Sequence, residues 1–257
     1  MSVTRYCRFL HEGRAWYGRI DGNEVVVLNA APWAGGKETG LRRALTGLTL
    51  LVPAEASKIV CIGQNYRKHA EEMGKPVPPE PLIFMKPSTS LNGPRSPIRI
   101  PKASAEVHYE AELGLIIGEK LKNADEATAA RGIFGLTCFN DVTARDIQRR
   151  EVQHTRAKSY DTFSCAGPWA VTGVPPSSDL RIMCRVNGQV RQDSRTSDMV
   201  FGPAALVSFI SKIMTLLPGD MISTGTPSGV GKLAAGDTVE VELEGIGTLA
   251  NPVEMEP

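Results

Sequence analysis

The stretch VHYEAELGLIIG, residues 107–118, places two carboxylates at the start of an apolar run. Its composition predicts a β-strand, and side chains two positions apart on a strand project from the same face. We therefore expect Glu110 and Glu112 to lie side by side, next to residues that favour burial. Two like charges repel strongly at low dielectric, and one of them normally takes up a proton. The chain must fold so that something compensates this pair.

A divalent cation would convert the repulsion into ligation. Two glutamates do not complete the octahedral oxygen shell that Mg²⁺ prefers. Asp141, at the end of the strand predicted for IFGLTCFND, is a candidate third ligand. Three carboxylates without a histidine or thiol favour a hard ion, Mg²⁺ or Mn²⁺, over zinc. The alternative is an exposed strand edge with solvated acids.

The remaining patterns predict a mainly β fold with a few helices rather than an alternating βαβ protein. Asp21-Gly22 and Asn187-Gly188 each separate two β-rich runs and predict hairpins. We predict helices at 123–131, begun by an Asn123 cap, at 143–152 and at 203–216, and loop with a short helix at 32–53. The predicted domains are a small N-terminal β domain over 1–53 and a second domain over 57–257.

Composition excludes several classes of function. The 257 residues carry a formal net charge of +1 and no basic run, which argues against a nucleic-acid or anionic-membrane partner. No apolar stretch reaches membrane-spanning length, and the N-terminus lacks the apolar core of a signal peptide. The five cysteines are scattered and form no CxxC pair, so we expect buried thiols and a cytoplasmic protein.

A second group of candidates surrounds the acids. His69 and Glu72 are spaced i,i+3 in a predicted short helix, so Glu72 can orient the imidazole and raise its basicity for proton abstraction from water. The alternative is a surface histidine with a salt-bridged glutamate. Arg145 and Gln148 follow Asp141 by four and seven residues, so a helix would return them to its side as substrate contacts or as structural ion pairs.

Five motifs, in order, resemble the fumarylacetoacetate hydrolase family: CIGQNYRKHAEEMG, HYEAELGLIIG, FNDVTARDIQ, AKSYDTF and STGTPSGVG. The likeness covers about residues 57–253, and the preceding residues match only in β character. The resemblance implies the family's β-rich fold, a homodimer, and a Mg²⁺ or Mn²⁺ ion at Glu110, Glu112 and Asp141. The ion would chelate a 2-oxo or diketo acid and stabilise the enolate formed when a bond at C3 breaks.

The resemblance also assigns roles to other residues. It implies a catalytic dyad of His69 and Glu72, with Lys158 stabilising enolate charge. Thr226 would bind the substrate carboxylate through its hydroxyl or backbone amide. We further expect residues 66–80, which include a proline-rich segment, to form a lid over the site.

Family members hydrolyse acylpyruvates, decarboxylate β-keto acids such as oxaloacetate, or isomerise hydroxymuconate-type dienoates, and the metal motif does not distinguish these reactions. Our leading prediction is hydrolysis of the C–C bond of an acylpyruvate-type diketo acid, with decarboxylation or isomerisation as the alternative. A third alternative is a non-catalytic fold that binds metal for stability.

Five further features are discounted. His108 shares a strand face with the acids, but we do not expect it to be a ligand, and we expect no role for His11 or His154. GTPSGVGK fails the phosphate-loop pattern because Leu233 stands where a hydroxyl should follow the lysine. Ser223 has no neighbouring His/Asp signature, so we do not propose it as a nucleophile.

Overall fold

The computed structural model describes residues 2–257. In chain order the strands are β1 (Thr4–His11), β2 (Arg14–Asp21), β3 (Glu24–Leu28), β4 (Glu38–Ala44), β5 (Thr49–Leu51), β6 (Ile59–Gly63), β7 (Leu82–Lys86), β8 (Leu91–Asn92), β9 (Ile98–Ile100), β10 (Val107–Tyr109), β11 (Ala111–Ile117), β12 (Ile133–Asp141), β13 (Thr143–Ala144), β14 (Ser164–Thr172), β15 (Arg181–Val186), β16 (Gln189–Arg195), β17 (Met221–Ser223), β18 (Gly231–Lys232), β19 (Thr238–Leu243) and β20 (Gly247–Met255). The α-helices are α1 (Arg67–Glu72), α2 (Glu126–Gly132), α3 (Arg145–Arg150), α4 (Thr155–Lys158) and α5 (Pro203–Ile213), with short 3-10 helices at Pro32–Ala34, Ser88–Ser90 and Thr196–Asp198. The mainly β prediction is confirmed.

The strands form three sheets. The largest runs in the order β4-β3-β2-β1-β14-β12-β11-β17-β6-β7, with β5 paired to β1 and β8 to β14. A five-stranded sheet has the order β16-β15-β19-β20-β9, and a small one the order β13-β10-β18. Most neighbours are antiparallel, while β17 runs parallel to β6. Strand β11 of the carboxylate motif is thus an interior strand of the largest sheet, between β12 and β17.

Strand β11 is buried along its whole length. Leu113, Leu115 and Ile117 enter the main hydrophobic core, while Ile116 on the opposite face enters a second cluster with Phe139 of β12. A strand covered on both faces reads as a continuous apolar run rather than an alternating one. Glu112 projects from the same face of β11 as Ile116, so it lies at the start of the face that enters the second cluster.

Both predicted hairpin turns are present. Gly22 lies between β2 and β3 at φ 58°, and Asn187 and Gly188 join β15 to β16 at φ 52° and 76°. Two left-handed residues match the twist of the flanking strands, which is why Asn-Gly is favoured there.

The prediction for residues 32–53 is wrong over most of its length. The short helix is the 3-10 turn Pro32–Ala34, but Glu38–Ala44 and Thr49–Leu51 are strands. Strand β4 is an exposed edge strand in which Arg42 pairs with Glu24 of β3 and Asp21 of β2, so it carries no apolar alternation for a pattern to detect. Through β1 and β14 these strands extend the largest sheet.

Three helix predictions need correction at their ends. Helix α2 begins at Glu126, and its cap is Asp125, whose side chain accepts from the Thr128 N–H, while Asn123 has a left-handed φ of 53°. Helix α5 ends at Ile213 rather than 216. Helix α3 begins at Arg145, because Thr143–Ala144 pair as a strand with β10, so the helical spacing inferred from Asp141 does not exist.

Two further expectations concern the cysteines and membrane-spanning segments. All five cysteines are free and buried. Burial raises the pKa of Cys7 and Cys138 to about 12, so these thiols are inert at neutral pH. Within residues 2–257 no helix is both long and apolar enough to cross a bilayer.

Candidate active site

The three predicted metal ligands converge. One carboxylate oxygen from each of Glu110, Glu112 and Asp141 lies within 4.8 Å of the other two, and all three side chains are buried. Glu110 occupies the break between β10 and β11, Glu112 is the second residue of β11, and Asp141 ends the neighbouring strand β12. The Asp141 N–H donates to the Glu110 carbonyl at 2.9 Å, which joins the two strand ends where the acids meet.

Glu110 is held by two cations. Its Oε1 accepts from the Arg145 guanidinium, and its Oε2 accepts from the Lys158 ammonium at 2.8 Å. Burial alone would raise the pKa of this carboxyl, but the Lys158 and Arg145 charges outweigh it, and the pKa is lowered. Glu110 therefore stays ionised.

Glu112 has neutral partners only. Its Oε2 accepts from the Ser223 hydroxyl and from the Gly225 N–H at 2.7 Å, while Oε1 makes no hydrogen bond with any of residues 2–257. Burial, followed by the neighbouring Asp141 and Glu110 charges, raises its pKa well above the ordinary value. Ser223, which we did not propose as a nucleophile, acts here as a donor to this carboxylate.

Asp141 contacts two lysines. Oδ1 accepts from Lys86 Nζ at 2.5 Å, and Oδ2 accepts from Lys158 Nζ, also at 2.5 Å. Lys86 also donates to the Phe163 carbonyl at 2.6 Å and is 1% exposed. Sequence reasoning missed Lys86, although a lysine ending the apolar strand LIFMK is a visible signal. We call Glu110, Glu112, Asp141, Lys86 and Lys158 the inner wall.

The inner wall suits a hard divalent cation. Its ligands are carboxylate oxygens, and no histidine or thiol joins the cluster within the described chain. Lys158, Lys86 and Arg145 pair with Glu110 and Asp141, whereas Glu112 has no cationic partner and one unpaired oxygen. A cation at Glu112 would compensate the charge that otherwise drives this carboxyl to bind a proton.

The inner wall opens into a cavity of about 540 Å³. The predicted site residues that line this cavity are His69, Glu110, Glu112, Arg145, Gln148, Lys158 and Thr226. Asp141 lies behind Lys158, and Glu72 reaches the cavity through His69. All nine predicted residues therefore belong to one site.

The His69–Glu72 pair has the geometry predicted from its spacing. Both residues lie on α1, and His69 Nδ1 is 3.1 Å from Glu72 Oε2. The other carboxylate oxygen of Glu72 accepts from the Gly229 N–H at 3.0 Å, which ties α1 to the loop after β17. Nδ1 is thereby engaged, and Nε2 is the nitrogen left for proton transfer. We call His69, Glu72, Met73, Lys75 and His154 the outer wall.

The other predicted contacts are partly committed to the protein. Arg145 donates to Gln148 Oε1 at 2.5 Å as well as to Glu110. The Thr226 hydroxyl donates to the Ala111 carbonyl and accepts from Gln192 Nε2, both at 2.8 Å. Its single proton is used, so the hydroxyl cannot donate to a ligand, whereas the Thr226 N–H makes no hydrogen bond within residues 2–257.

Gln192, on β16, was missed by sequence reasoning. It is 1% exposed, accepts from the Ala111 N–H at 3.0 Å, and donates to Thr226 and to the Pro227 carbonyl. Ala111 separates the two glutamates, so this amide fixes the backbone between them. No local pattern marks such a residue, because its partners are more than 30 positions away.

The discounted histidines differ. His108 bonds to Glu106 at 2.8 Å and is not part of the carboxylate cluster. His11 lies on β1 next to Arg43, away from the cavity. His154, for which no role was expected, does line the cavity, with its ring edge-on to Phe84 at 5.5 Å. Burial, followed by Lys158, lowers its pKa.

The fold and this cluster can be compared with known proteins. A sequence profile described as fumarylacetoacetate (FAA) hydrolase C-terminal matches residues 58–254, and one described as Rv2993c-like, N-terminal matches residues 4–53. The chain belongs to the fumarylacetoacetate hydrolase family. The resemblance inferred from the five motifs is thus confirmed.

Three relatives illustrate the range within the family. The crystal structure of a 2-hydroxyhepta-2,4-diene-1,7-dioate isomerase from Mycobacterium marinum is 42% identical, covers 98% of this chain and 99% of its own, and gives a TM-score of 0.91. The mitochondrial oxaloacetate tautomerase of Xenopus laevis is 44% identical over 81% of this chain and 69% of its own. Fumarylpyruvate hydrolase from Pseudomonas aeruginosa, solved with Mn²⁺ and pyruvate, is 29% identical over 78% and 91%, with a TM-score of 0.75. This chain is therefore a family enzyme whose buried acids can hold a divalent metal.

Proposed function

We propose that the protein is a Mg²⁺- or Mn²⁺-dependent enzyme that transfers a proton at the carbon next to the oxo group of a small 2-oxo acid, as a tautomerase or isomerase. One observation carries the proposal: the carboxylate cluster, the Lys158 ammonium and the His69–Glu72 pair belong to the same cavity. Enolate chemistry requires a metal-binding cluster, a fixed positive charge and a base.

The metal would be held by Glu110, Glu112 and Asp141, and when bound it would supply a Lewis acid that stabilises negative charge on the 2-oxo group. Lys158 adds a fixed positive charge, because Asp141 and Glu110 outweigh the effect of burial and raise its pKa. The ammonium is therefore protonated throughout the reaction. The Thr226 N–H, which has no partner within the described residues, can donate to the substrate carboxylate.

His69 is the proposed base. With Nδ1–H directed to Glu72, Nε2 accepts the proton from the carbon next to the oxo group and returns it to the same or a conjugated position. Glu72 stabilises the imidazolium formed in between, and the Gly229 N–H stabilises Glu72. Proton transfer is placed first because the relatives named above at 42% and 44% identity are an isomerase and a tautomerase.

Hydrolysis of an acylpyruvate, the leading prediction from sequence, is the second candidate. The same Nε2 can deprotonate water instead of carbon, and the similar fumarylpyruvate hydrolase supports this alternative. It predicts pyruvate and a carboxylic acid as products. Decarboxylation, which uses the same enolate, predicts CO₂.

The test is product analysis of the metal-loaded enzyme with oxaloacetate, acylpyruvates and hydroxymuconate-type dienoates in D₂O. We expect deuterium at C3 or an isomer of unchanged carbon skeleton, metal-dependent, and lost in His69→Ala but kept in His11→Ala. C–C cleavage to pyruvate and a carboxylic acid without prior exchange would establish hydrolysis instead, and release of CO₂ would establish decarboxylation. Absence of any metal-dependent turnover would refute both candidates.

A further inference from the structure

Gln64 has a backbone conformation that glutamine rarely adopts. Its φ is 56°, in the left-handed region that favours glycine. The other non-glycine residues at positive φ in the described chain are Glu12, Arg95, Asn123, Thr162 and Asn187, and none of these lines the cavity. Gln64 does line it. Strained backbone at a cavity wall is a recognised mark of functional residues.

The next residue, Asn65, imposes this conformation. It is fully buried, donates to the Phe201 and Thr224 carbonyls at 3.0 and 2.7 Å, and accepts from the Phe201 N–H at 2.9 Å. A Cβ placed on Gly225 would lie 2.7 Å from Asn65 Cβ, so the two turns are in close contact. The surroundings fix a left-handed position at 64 whichever residue occupies it, and glycine would fit at lower cost.

No hydrogen bond of the Gln64 side chain within the described residues offsets the cost of this backbone conformation. Its half-buried amide makes no hydrogen bond with any of residues 2–257. A primary amide offers two N–H donors and one acceptor, without a charge that would compete with the carboxylates for a cation. It also makes no bond to the inner wall, so it remains for a part of the substrate that the inner wall does not hold.

We infer that Gln64 is a specificity-determining residue that donates a hydrogen bond to the distal carboxylate of a 2-oxo dicarboxylic acid. The inference rests on the proposed function. It accounts for a glutamine at a position whose backbone conformation glycine adopts at lower cost.

The test compares a dicarboxylate with a monocarboxylate. Gln64→Leu keeps the size of the side chain and removes its hydrogen bonds, and Gln64→Gly removes the side chain and the strain. We expect kcat/KM for deuterium exchange of oxaloacetate to fall about 10- to 100-fold in both variants, the effect of one hydrogen bond to a charged group. For 2-oxobutanoate it should change by less than about twofold.

Two further measurements separate this role from a structural one. Gln64→Gly should melt at the same or a higher temperature than the wild type, and Mn²⁺ affinity should be unchanged in both variants. Gln153→Leu, at an exposed glutamine outside the cavity, is the matched control and should alter neither substrate.

The possible failures are distinguishable. If both substrates lose activity equally, or neither does, the role of Gln64 is refuted while the proposed function stands. If the wild type, loaded with Mn²⁺, neither binds nor turns over either acid, the proposed function is wrong and the assignment of Gln64 falls with it.

Discussion

The inner and outer walls of the cavity are built differently. The acids of the inner wall lie on or beside central strands and are at most 4% exposed, each with two or more hydrogen-bond partners. His69 and Glu72 lie on a helix of six residues, in which His69 is 6% exposed and the Glu72 side chain is 35% exposed. Paired strands fix charges whose mutual distances determine metal binding, whereas a single short helix carries the buried imidazole that exchanges protons with substrate and the partly exposed carboxylate that orients it.

Removal of one acid of the inner wall is the strongest test of whether the inner wall alone binds the metal. Glu112→Gln should weaken Mn²⁺ binding by more than about 100-fold, beyond the loss typical of outer partners of a ligand, and should abolish turnover. The fold should survive, because Glu112 favours its neutral form when no cation is present and glutamine is a neutral isostere. Titration of Mn²⁺ by electron paramagnetic resonance measures the effect.

Glu254→Gln, at an exposed position of β20, is the control and should bind Mn²⁺ as the wild type does. Unchanged Mn²⁺ affinity in Glu112→Gln would show that the carboxylate cluster is not the metal site.

His69→Ala tests the outer wall. We expect kcat to fall about 10²- to 10⁴-fold, the usual contribution of a general base, because Nε2 no longer accepts the proton. Mn²⁺ affinity should stay within about twofold of the wild type, since His69 is absent from the carboxylate cluster. Steady-state kinetics and the same Mn²⁺ titration provide both values. A parallel loss of metal binding would mean that the two walls are not separate in function.

Gln192→Leu tests what fixes the spacing between the two glutamates. Three buried hydrogen bonds are lost, including the one from the Ala111 N–H, so we expect a destabilisation of about 1–3 kcal/mol in urea unfolding. If the amide positions the ligands, Mn²⁺ affinity should fall about tenfold, and Gln192→Glu should restore part of it by accepting from Ala111 again. Destabilisation with wild-type Mn²⁺ affinity would assign Gln192 a purely structural role.

The sequence predicted the inner wall better than its surroundings. Glu110, Glu112 and Asp141 were recognisable because acids in apolar strands are anomalous, and His69 with Glu72 because their spacing is local. Gln192 and Gln64 were missed because their importance depends on distant partners or on a φ angle that composition does not reveal, whereas Lys86 was missed although a lysine at the end of an apolar strand is a visible signal. The same limit explains β4: its arginines pair across strands, and only the three-dimensional register shows this. The prediction of a lid at 66–80 stays a prediction.

The smallest expected effect is the number of protons released when the metal binds to the inner wall. In the metal-free protein burial and the acidic neighbours raise the pKa of Glu112, so proton binding to this carboxyl competes with binding of the cation. Mn²⁺ affinity should therefore increase as pH rises from 6 to 8, with release of up to about one proton per ion. Calorimetric titration in two buffers of different ionisation enthalpy measures this number, and Glu112→Gln should reduce it to near zero.

The raised pKa of Glu112 also determines the direction in which the stability of the metal-free protein changes with pH. The pKa of Glu112 is higher in the folded than in the unfolded chain. The stabilisation that comes from protonated Glu112 is therefore complete below the pKa of the unfolded chain and is lost as pH rises through the pKa of the folded chain. Without metal, the melting temperature of the wild type should therefore fall with rising pH more steeply than that of Glu112→Gln, and saturating Mn²⁺ should remove the difference in slope. Equal slopes without metal, together with no proton release, would mean that Glu112 is already ionised and that a cation is not needed to compensate it.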